Sequence, residues 1–262
     1  MIKFARIWGI IFRHLKPTFR DPIRLADMFY WPLVDVTLFG FMATWSQENV
    51  VGGSNFIITV MTCISCWYLI QRAALEIARN LLIEIWDSHL INLFATPISL
   101  AELMIALMII GIVQALITFF YGLGIIWLLY GQNIFCLLGQ LYPFMILLVT
   151  CGWVIGFLIV SLLLRFGKNV DTLIWATTWF FAIISGAFYP ISLFPLVLQK
   201  ISYLFPATYL FDGVRDLFRG GAFYWYNLGM GFGLVLVYFI LSWLLMHQVF
   251  KLSKIRGFAR LE

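Results

Sequence analysis

The sequence predicts an all-α polytopic membrane protein with six transmembrane helices. Three observations predict this fold class: the composition, the lengths of the uncharged stretches and the distribution of basic residues. Of the 262 residues, 63% are hydrophobic and 11% are charged. Soluble domains have about 45–50% apolar and about 25% charged residues, so this chain lacks the polar side chains that a water-soluble surface needs. The apolar segments leave no length for an ATPase, kinase or Rossmann domain, and any energy source is therefore a partner or an ion gradient.

Residues 1–24 lack the long apolar core and the cleavage site of a signal peptide. They instead predict an amphipathic interfacial helix. Basic residues alternate with apolar residues that recur at helical spacing, namely Phe4, Ile7, Trp8, Ile11, Phe12 and Leu15. Pro17 and Pro22 are expected to break this helix before the first membrane span. Two interpretations remain open: a positively charged topology anchor, and a helix that cradles a cytoplasmic partner.

Uncharged stretches predict the membrane spans, because a charge at the bilayer centre costs at least ~2.5–3.5 kcal/mol. The longest, residues 103–164, would rise about 90 Å as one helix, so it must fold back on itself. Residues 130–133 combine a glycine with two amides and are the expected turn. A further apolar stretch, residues 28–47, is interrupted by Asp35 alone and supplies the first span. The six predicted spans are about 26–46, 54–75, 99–130, 134–164, 171–189 and 227–250.

The basic residues predict that both termini are cytoplasmic, because positively charged loops stay on the inner side of the membrane. In this topology only Lys200, Arg215 and Arg219 lie outside, and the other 14 of the 17 basic residues lie inside. The inner basic residues are spread over four segments, so the net charge of +5 indicates contact with membrane lipids and does not indicate nucleic acid binding.

The connection between spans two and three, residues 76–97, predicts a short amphipathic helix on the cytoplasmic side. Apolar residues at 82, 83, 86, 90, 93 and 94 share one face, and polar residues occupy the other. Ser99 and Glu102 have the spacing of a capping box that opens span three. The residues alone leave two interpretations equally open: a helix that docks into a partner protein, and a simple interfacial connector.

Residues 190–224 are too hydrophobic for a solvent loop and too interrupted for another full span. Pro190, Pro195, Pro206 and Gly213 divide the segment. Short re-entrant or interfacial helices on the outer face satisfy both constraints. Irregular backbone at membrane depth must be buried in protein or line a wet cavity, so this segment is expected to border the exit of a pathway.

No catalytic or metal site is predicted. Cys63 and Cys66 have redox-motif spacing but lie in an apolar helix without a nearby base, which favours packing. The three histidines form no ligand pattern, and there is no Ser-His-Asp set or phosphate-binding glycine loop. We therefore expect that the chain is not an enzyme. Gly152 and Gly156 form a small-residue motif that predicts helix packing in span four.

Four stretches resemble the ABC-2 type permeases, the transmembrane subunits of type V ABC exporters. They are LLIEIWDS and LFATPIS in the inner connection, and SGAFYPIS and PATYLFDGVR in the outer segment. The resemblance covers essentially the whole chain and implies one transmembrane permease domain, 1–262. It implies a half-transporter that pairs with a second permease copy, a homodimer being favoured over a heterodimer. It also implies two separate ABC ATP-binding subunits, which bind ATP and Mg, and no cofactor in this chain.

Site residues follow from the resemblance and from polarity within the spans. The coupling helix that would contact the ATPase comprises Glu84, Asp87, Ser88, Leu90, Leu93 and Phe94. Asp35 in span one and Arg72 in span two are expected to form an intramembrane ion pair, with a substrate or proton site as the alternative. The pathway lining is assigned to Thr59, Thr62, Ser65, Thr178, Phe181 and Ser185, with helix packing as the competing interpretation.

The outer gate is assigned to Phe188, Tyr189 and Phe194, with anchoring in an interfacial aromatic belt as the alternative. An aromatic, mildly polar pathway favours amphipathic, lipid-like, drug-like or lipid-linked glycan substrates. Together with the resemblance, which implies an ATP-driven exporter, this predicts export of such a molecule from the cytoplasm or inner leaflet, across a bacterial inner membrane. The alternative is an ion- or proton-coupled secondary carrier, which usually needs several intramembrane ionisable groups and related halves.

Overall fold

The computed structural model describes residues 3–49, 56–87, 96–167 and 171–256, and these residues form helices and turns without any strand. This confirms the all-α polytopic fold. Two short 3-10 helices, Phe135–Leu137 and Ile191–Leu193, precede the fifth and seventh helices. The α-helices are α1 (Phe4–Thr18), α2 (Pro22–Asn49), α3 (Phe56–Trp86), α4 (Leu100–Tyr130), α5 (Leu138–Phe166), α6 (Asp171–Ile184), α7 (Leu196–Ser202), α8 (Pro206–Asp216) and α9 (Tyr224–Arg256).

Five of the described helices are long and apolar enough to cross a membrane, namely α2, α3, α4, α5 and α9. The fifth predicted span is the shorter α6, whose 14 residues rise about 21 Å against a hydrocarbon core of about 30 Å. It ends before Gly186, which has a φ of 70° and a close neighbour in Ile191. The positive φ turns the chain sharply here, and a side chain at Gly186 would clash with Ile191.

Helix α3 is the centre of the bundle and packs against α2, α4, α5, α6 and α8. Most of its side chains from Met61 to Ile85 are buried. Close approach of α5 depends on the predicted small-residue motif: a Cβ added at Gly152 would lie 2.6 Å from the Ile70 carbonyl oxygen. Gly156 likewise faces Ala74 of α3. The motif is therefore confirmed as the α3–α5 contact.

Helix ends follow local sequence signals at α4. The Ser99 hydroxyl accepts from the Glu102 amide at 3.2 Å, and the Glu102 carboxylate accepts from the Ser99 amide at 2.8 Å, which confirms the capping box. Gly131 ends α4 with a φ of 64°, which confirms the turn at residues 130–133. At α1, the helix includes Pro17 in its last turn, and Pro22 opens α2.

The predicted break between span two and the coupling helix, after residue 75, is wrong. Helix α3 continues to Trp86 because residues 56–86 contain neither proline nor glycine and its buried charges find partners. The second half of the predicted coupling helix lies outside the described residues.

Helices α1 and α8 lie at opposite ends of α3. Arg13 of α1 contacts Glu84 near the last turn of α3, whereas Arg215 of α8 lies near Cys63 in its first half. Helix α1 packs against α4, and its Ile7, Ile10 and Ile11 are buried. The segment after α6 contains the short helices that the sequence predicts for residues 190–224, and α8 packs mainly against α9.

Candidate functional site

Glu84 is a buried anchor for α1. The residue is 3% exposed, and its carboxylate accepts from the Arg13 guanidinium at 2.8 Å and lies 3.2 Å from His14 Nε2. The prediction that Glu84 lies on an exposed docking face is therefore wrong. The physical reason is that a carboxylate buried at this position needs counter-charges, and α1 supplies them from within the chain.

Helix α1 also holds the start of α4. The Lys3 amide donates to Glu102 Oε1 at 2.9 Å, and the Arg6 guanidinium lies 3.7 Å from the same carboxylate. Arg6 also donates to the Pro97 carbonyl. We call Arg6, Arg13, His14, Glu84 and Glu102 the inner clasp. It joins both ends of the segment that connects α3 to α4.

The remaining coupling-helix candidates lie at or beyond the end of α3. Asp87 is exposed directly after the helix, beside the exposed Trp86. Ser88, Leu90, Leu93 and Phe94 lie outside the described residues. Asp87 is therefore the one predicted charged contact that is both described and accessible.

A buried polar cluster ties α2, α3 and α4 together. Arg72 donates to the Asp27 carboxylate at 3.0 Å and to the Asp27 carbonyl at 2.6 Å. Arg79 also pairs with Asp27, at 3.0 Å, and lies 3.5 Å from Glu76. Glu76 accepts from Gln114 of α4 at 3.0 Å. Each of these four charges thus has an opposite charge within the cluster.

The predicted Asp35–Arg72 ion pair is wrong, because Arg72 pairs with Asp27. Asp27 and Asp35 are eight residues apart on α2, or about 12 Å along the axis, so one arginine cannot serve both. Asp35 instead accepts a hydrogen bond from the Tyr68 hydroxyl. Asp35 and Arg72 do share the wall of one cavity between α2, α3 and α6.

Two of the predicted lining residues, Phe181 and Ser185, lie in a second, apolar cavity. This cavity encloses about 550 Å³, including its open mouth, between α3, α5, α6, α8 and α9. The described residues that line it do not include Thr59, Thr62, Ser65 or Thr178. Thr62 and Thr178 donate to the carbonyls of Ile58 and Ile174 in their own helices, which is typical of buried packing. Ser65 is buried beside Gly122, and Thr59 is half-buried.

Phe188 joins three helices. Its ring stacks on Phe39 of α2 with centroids 5.2 Å apart, and it lies 6.1 Å from Trp179 of α6 and 6.2 Å from Trp67 of α3. The other two predicted gate residues, Tyr189 and Phe194, form a separate edge-to-face pair at 5.4 Å. Phe188 is therefore placed where movement of any of the three helices would change its contacts.

Arg215 of α8 holds the backbone that carries Phe188. It is 5% exposed and donates to the carbonyls of Gly186 and Ala187, and it lies 3.4 Å from Asp212. Burial raises the pKa of Asp212 even though the Arg215 charge acts to lower it. The turn at Gly186 and Ala187, directly before Phe188, is thus fixed to α8 by a buried cation and two carbonyl groups.

The sequence reasoning missed Asp27, Glu76, Arg79, Arg13 and Arg215. Arg72 and Arg79 are seven residues apart and share a helix face, so a charged face on α3 was visible in the sequence. The acidic partner on α2 was not, because it depends on the packing of the two helices. Within the described ranges, no group of three His, Cys, Asp or Glu side chains could hold a metal ion.

Comparison with known protein families gives a match that covers most of the chain. The model of the family described as ABC-2 type transporter matches residues 5–218, from α1 to just beyond α8. No curated protein matches the chain. The match includes the inner clasp, the buried polar cluster and the outer segment as far as residue 218.

Proposed function

Because this chain belongs to the ABC-2 type transporter family, a family of transmembrane transport subunits, we propose that it is the permease of an ATP-driven exporter. Its substrate would be amphipathic: lipid-like, drug-like or a lipid-linked glycan. Two separate ABC ATP-binding subunits would bind and hydrolyse ATP with Mg. The chain would reside in a bacterial inner membrane with both termini in the cytoplasm.

The inner clasp is the observation that carries this proposal. It connects α1, the end of α3 and the start of α4 through charged side chains that are partly or fully buried. A force applied to the inner face at α1 would therefore act on α3 directly. Helix α3 has 31 residues, about 46 Å of continuous helix, and reaches the aromatic contacts of Phe188. This path links an inner docking face to the outer segment.

A second copy of the chain would complete the pathway. In the most apolar 18-residue stretch of each helix, 17% of the residues of α9 and 22% of those of α2 are buried. The corresponding share is 72% in both α3 and α5. Apolar faces of this extent are covered by lipid or by another subunit. We assign part of them to a homodimer, because the family pairs permease subunits, and the rest to membrane lipids.

The buried polar cluster argues against the alternative, an ion- or proton-coupled carrier. Such a carrier needs ionisable groups whose charge changes during transport. Asp27, Arg72, Glu76 and Arg79 instead compensate one another, which is typical of a structural cluster. Asp35 lies outside these pairs.

Photolabelling of the purified complex tests the proposal. The tagged chain would be extracted from its native membrane and exposed to 8-azido-ATP under ultraviolet light. We expect a separate co-purified polypeptide to be labelled, and vanadate to inhibit the ATPase activity of the complex. Purification of the chain without any labelled polypeptide, together with transport that persists in ATP-depleted vesicles, would favour the carrier instead.

A further inference from the structure

The cavity between α2, α3 and α6 is lined by both aromatic and charged side chains. Three tryptophans line it, together with Asp35, Gln71 and Arg72. Trp31 and Trp179 are 46% and 39% exposed, so they lie at its open side. Trp175 lies deeper and carries the Arg79 guanidinium over its ring at 5.6 Å.

The charges around this cavity do not balance. Asp27 is paired with Arg72 and Arg79, and Glu76 is paired with Arg79. Asp35 adds a third carboxylate to two guanidinium groups. Its hydrogen-bond partner is the Tyr68 hydroxyl, and no basic side chain in the described part of the chain lies within ion-pair distance of it. When Asp35 is ionised, the cavity wall and the adjacent polar cluster therefore carry one more negative charge than positive charges.

A ligand cation would supply the missing charge. Carboxylates in an apolar environment are strongly stabilised by an opposite charge, and tryptophan has the ring face that attracts cations best. The Arg79–Trp175 contact is an example of this attraction in the same cluster.

We propose that this cavity binds the amine or quaternary ammonium group of the transported amphiphile. Asp35 would be the counter-ion, Trp31 and Trp179 would be the aromatic walls, and Tyr68 would be a positioning residue that holds the carboxylate. This inference deepens the proposed function and rests on it for the identification of the ligand as the transported substrate.

An anionic ligand is the competing outcome. Arg72 lines the same cavity, and its Nε has no acceptor among the described residues. The two terminal nitrogens of Arg72 are already bound to Asp27, however, and an anion at Nε would lie in the same cavity as the Asp35 carboxylate. The geometry therefore favours the cation.

Binding of a matched pair of probes tests the proposal. Tetraphenylphosphonium and tetraphenylborate have the same four phenyl groups and opposite charges, and neither can exchange a proton. Their binding to the purified full-length chain would be measured by equilibrium dialysis in detergent. We expect the cation to bind and the anion to bind at least about tenfold more weakly.

Variants of Asp35 identify the counter-ion. Asp35→Asn should weaken binding of tetraphenylphosphonium by about tenfold or more, whereas Asp35→Glu should retain most of it. Asp21→Asn is the matched control, because it makes the same charge change at a side chain that is 40% exposed outside the cavity. Wild-type affinity in Asp35→Asn, or equal affinity for the two probes, would overturn the proposal.

Variants at a second position, Trp31, test the site even if the Asp35 variants misfold. Trp31 is exposed, so Trp31→Leu and Trp31→Phe should both fold. Loss of affinity in Trp31→Leu but not in Trp31→Phe supports the aromatic wall, and equal affinity in both contradicts it. Probe binding without any labelled ATPase partner would refute the proposed function alone. A labelled partner combined with binding that does not depend on Asp35 would refute this inference alone.

Discussion

Replacing Glu84 by Gln should separate the structural role of the inner clasp from ATPase docking. The substitution keeps the size of the side chain and removes its charge. His14 is buried beside this carboxylate, and Arg13 is half-exposed on its other side. Arg13 would lose its anionic partner and His14 would lose the carboxylate beside it, while the backbone of α1 and α3 would keep its helical hydrogen bonds.

The structure sets the size of the expected effect. Removing one partner of a buried ion pair costs about 3–5 kcal/mol. The Arg13 side chain is 46% exposed and keeps water around its guanidinium, so solvent screening reduces the loss. We expect the free energy of unfolding to fall by about 1–3 kcal/mol, and a loss of about 2 kcal/mol corresponds to roughly 4–8 °C in Tm for a chain of this size.

Thermal unfolding of the purified protein, followed by tryptophan fluorescence, measures this shift. Asp87→Asn is the matched control: it removes the same charge one turn later, at an exposed side chain, and should change stability by less than about 0.5 kcal/mol. Asp87→Lys should leave the Tm unchanged and reduce recovery of the ATPase subunit, because it reverses a charge on the accessible inner face.

Two results would refute this reasoning. If Glu84→Gln unfolded at the wild-type temperature, the buried ion pairs would contribute nothing measurable to the attachment of α1. If Asp87→Lys recovered the ATPase subunit in full while Glu84→Gln lost it at unchanged Tm, Glu84 would be the docking residue and the clasp would be misassigned.

Three further predictions concern the helix bundle and the outer segment. Asp27→Asn and Arg72→Gln should each lower the Tm, and the double variant should be less unstable than the two losses added together, because the residues are in one ion pair; simple additivity in thermal unfolding would contradict the pair. Gly152→Ala should destabilise the protein by about 1–3 kcal/mol, since its Cβ would lie 2.6 Å from Ile70 on α3, whereas Gly139→Ala, which has no neighbour within 4 Å, should be tolerated; equal Tm values would show that α5 can move away from α3. If the Phe188 ring is a gate, Phe188→Ala should raise the basal ATPase activity of the assembled complex and leave membrane insertion normal. If the ring is an anchor, the variant should be expressed at a lower level with unchanged specific activity.

Much of the fold could be predicted because its causes are local. Membrane spans follow from the free energy of transferring each side chain into lipid, and that energy depends on the residue itself. The Ser99–Glu102 capping box and the turn at Gly131 involve residues within one helical turn. The break at Gly186 is also local: α6 ends at Ile184, and Gly186 has a φ of 70°, a conformation that glycine adopts more readily than other residues.

Partner choice could not be predicted, because it depends on how the helices are rotated and shifted against one another. The sequence indicated a charge within α2, at Asp35, and another on α3, at Arg72, and these two were predicted to pair. Packing places Arg72 beside Asp27 instead. In the same way, α1 packs against α4 and brings Arg13 to Glu84, which makes Glu84 a buried anchor rather than the predicted docking residue. These contacts join residues 45 and 71 positions apart, and only the close packing of whole helices brings such residues within ion-pair distance.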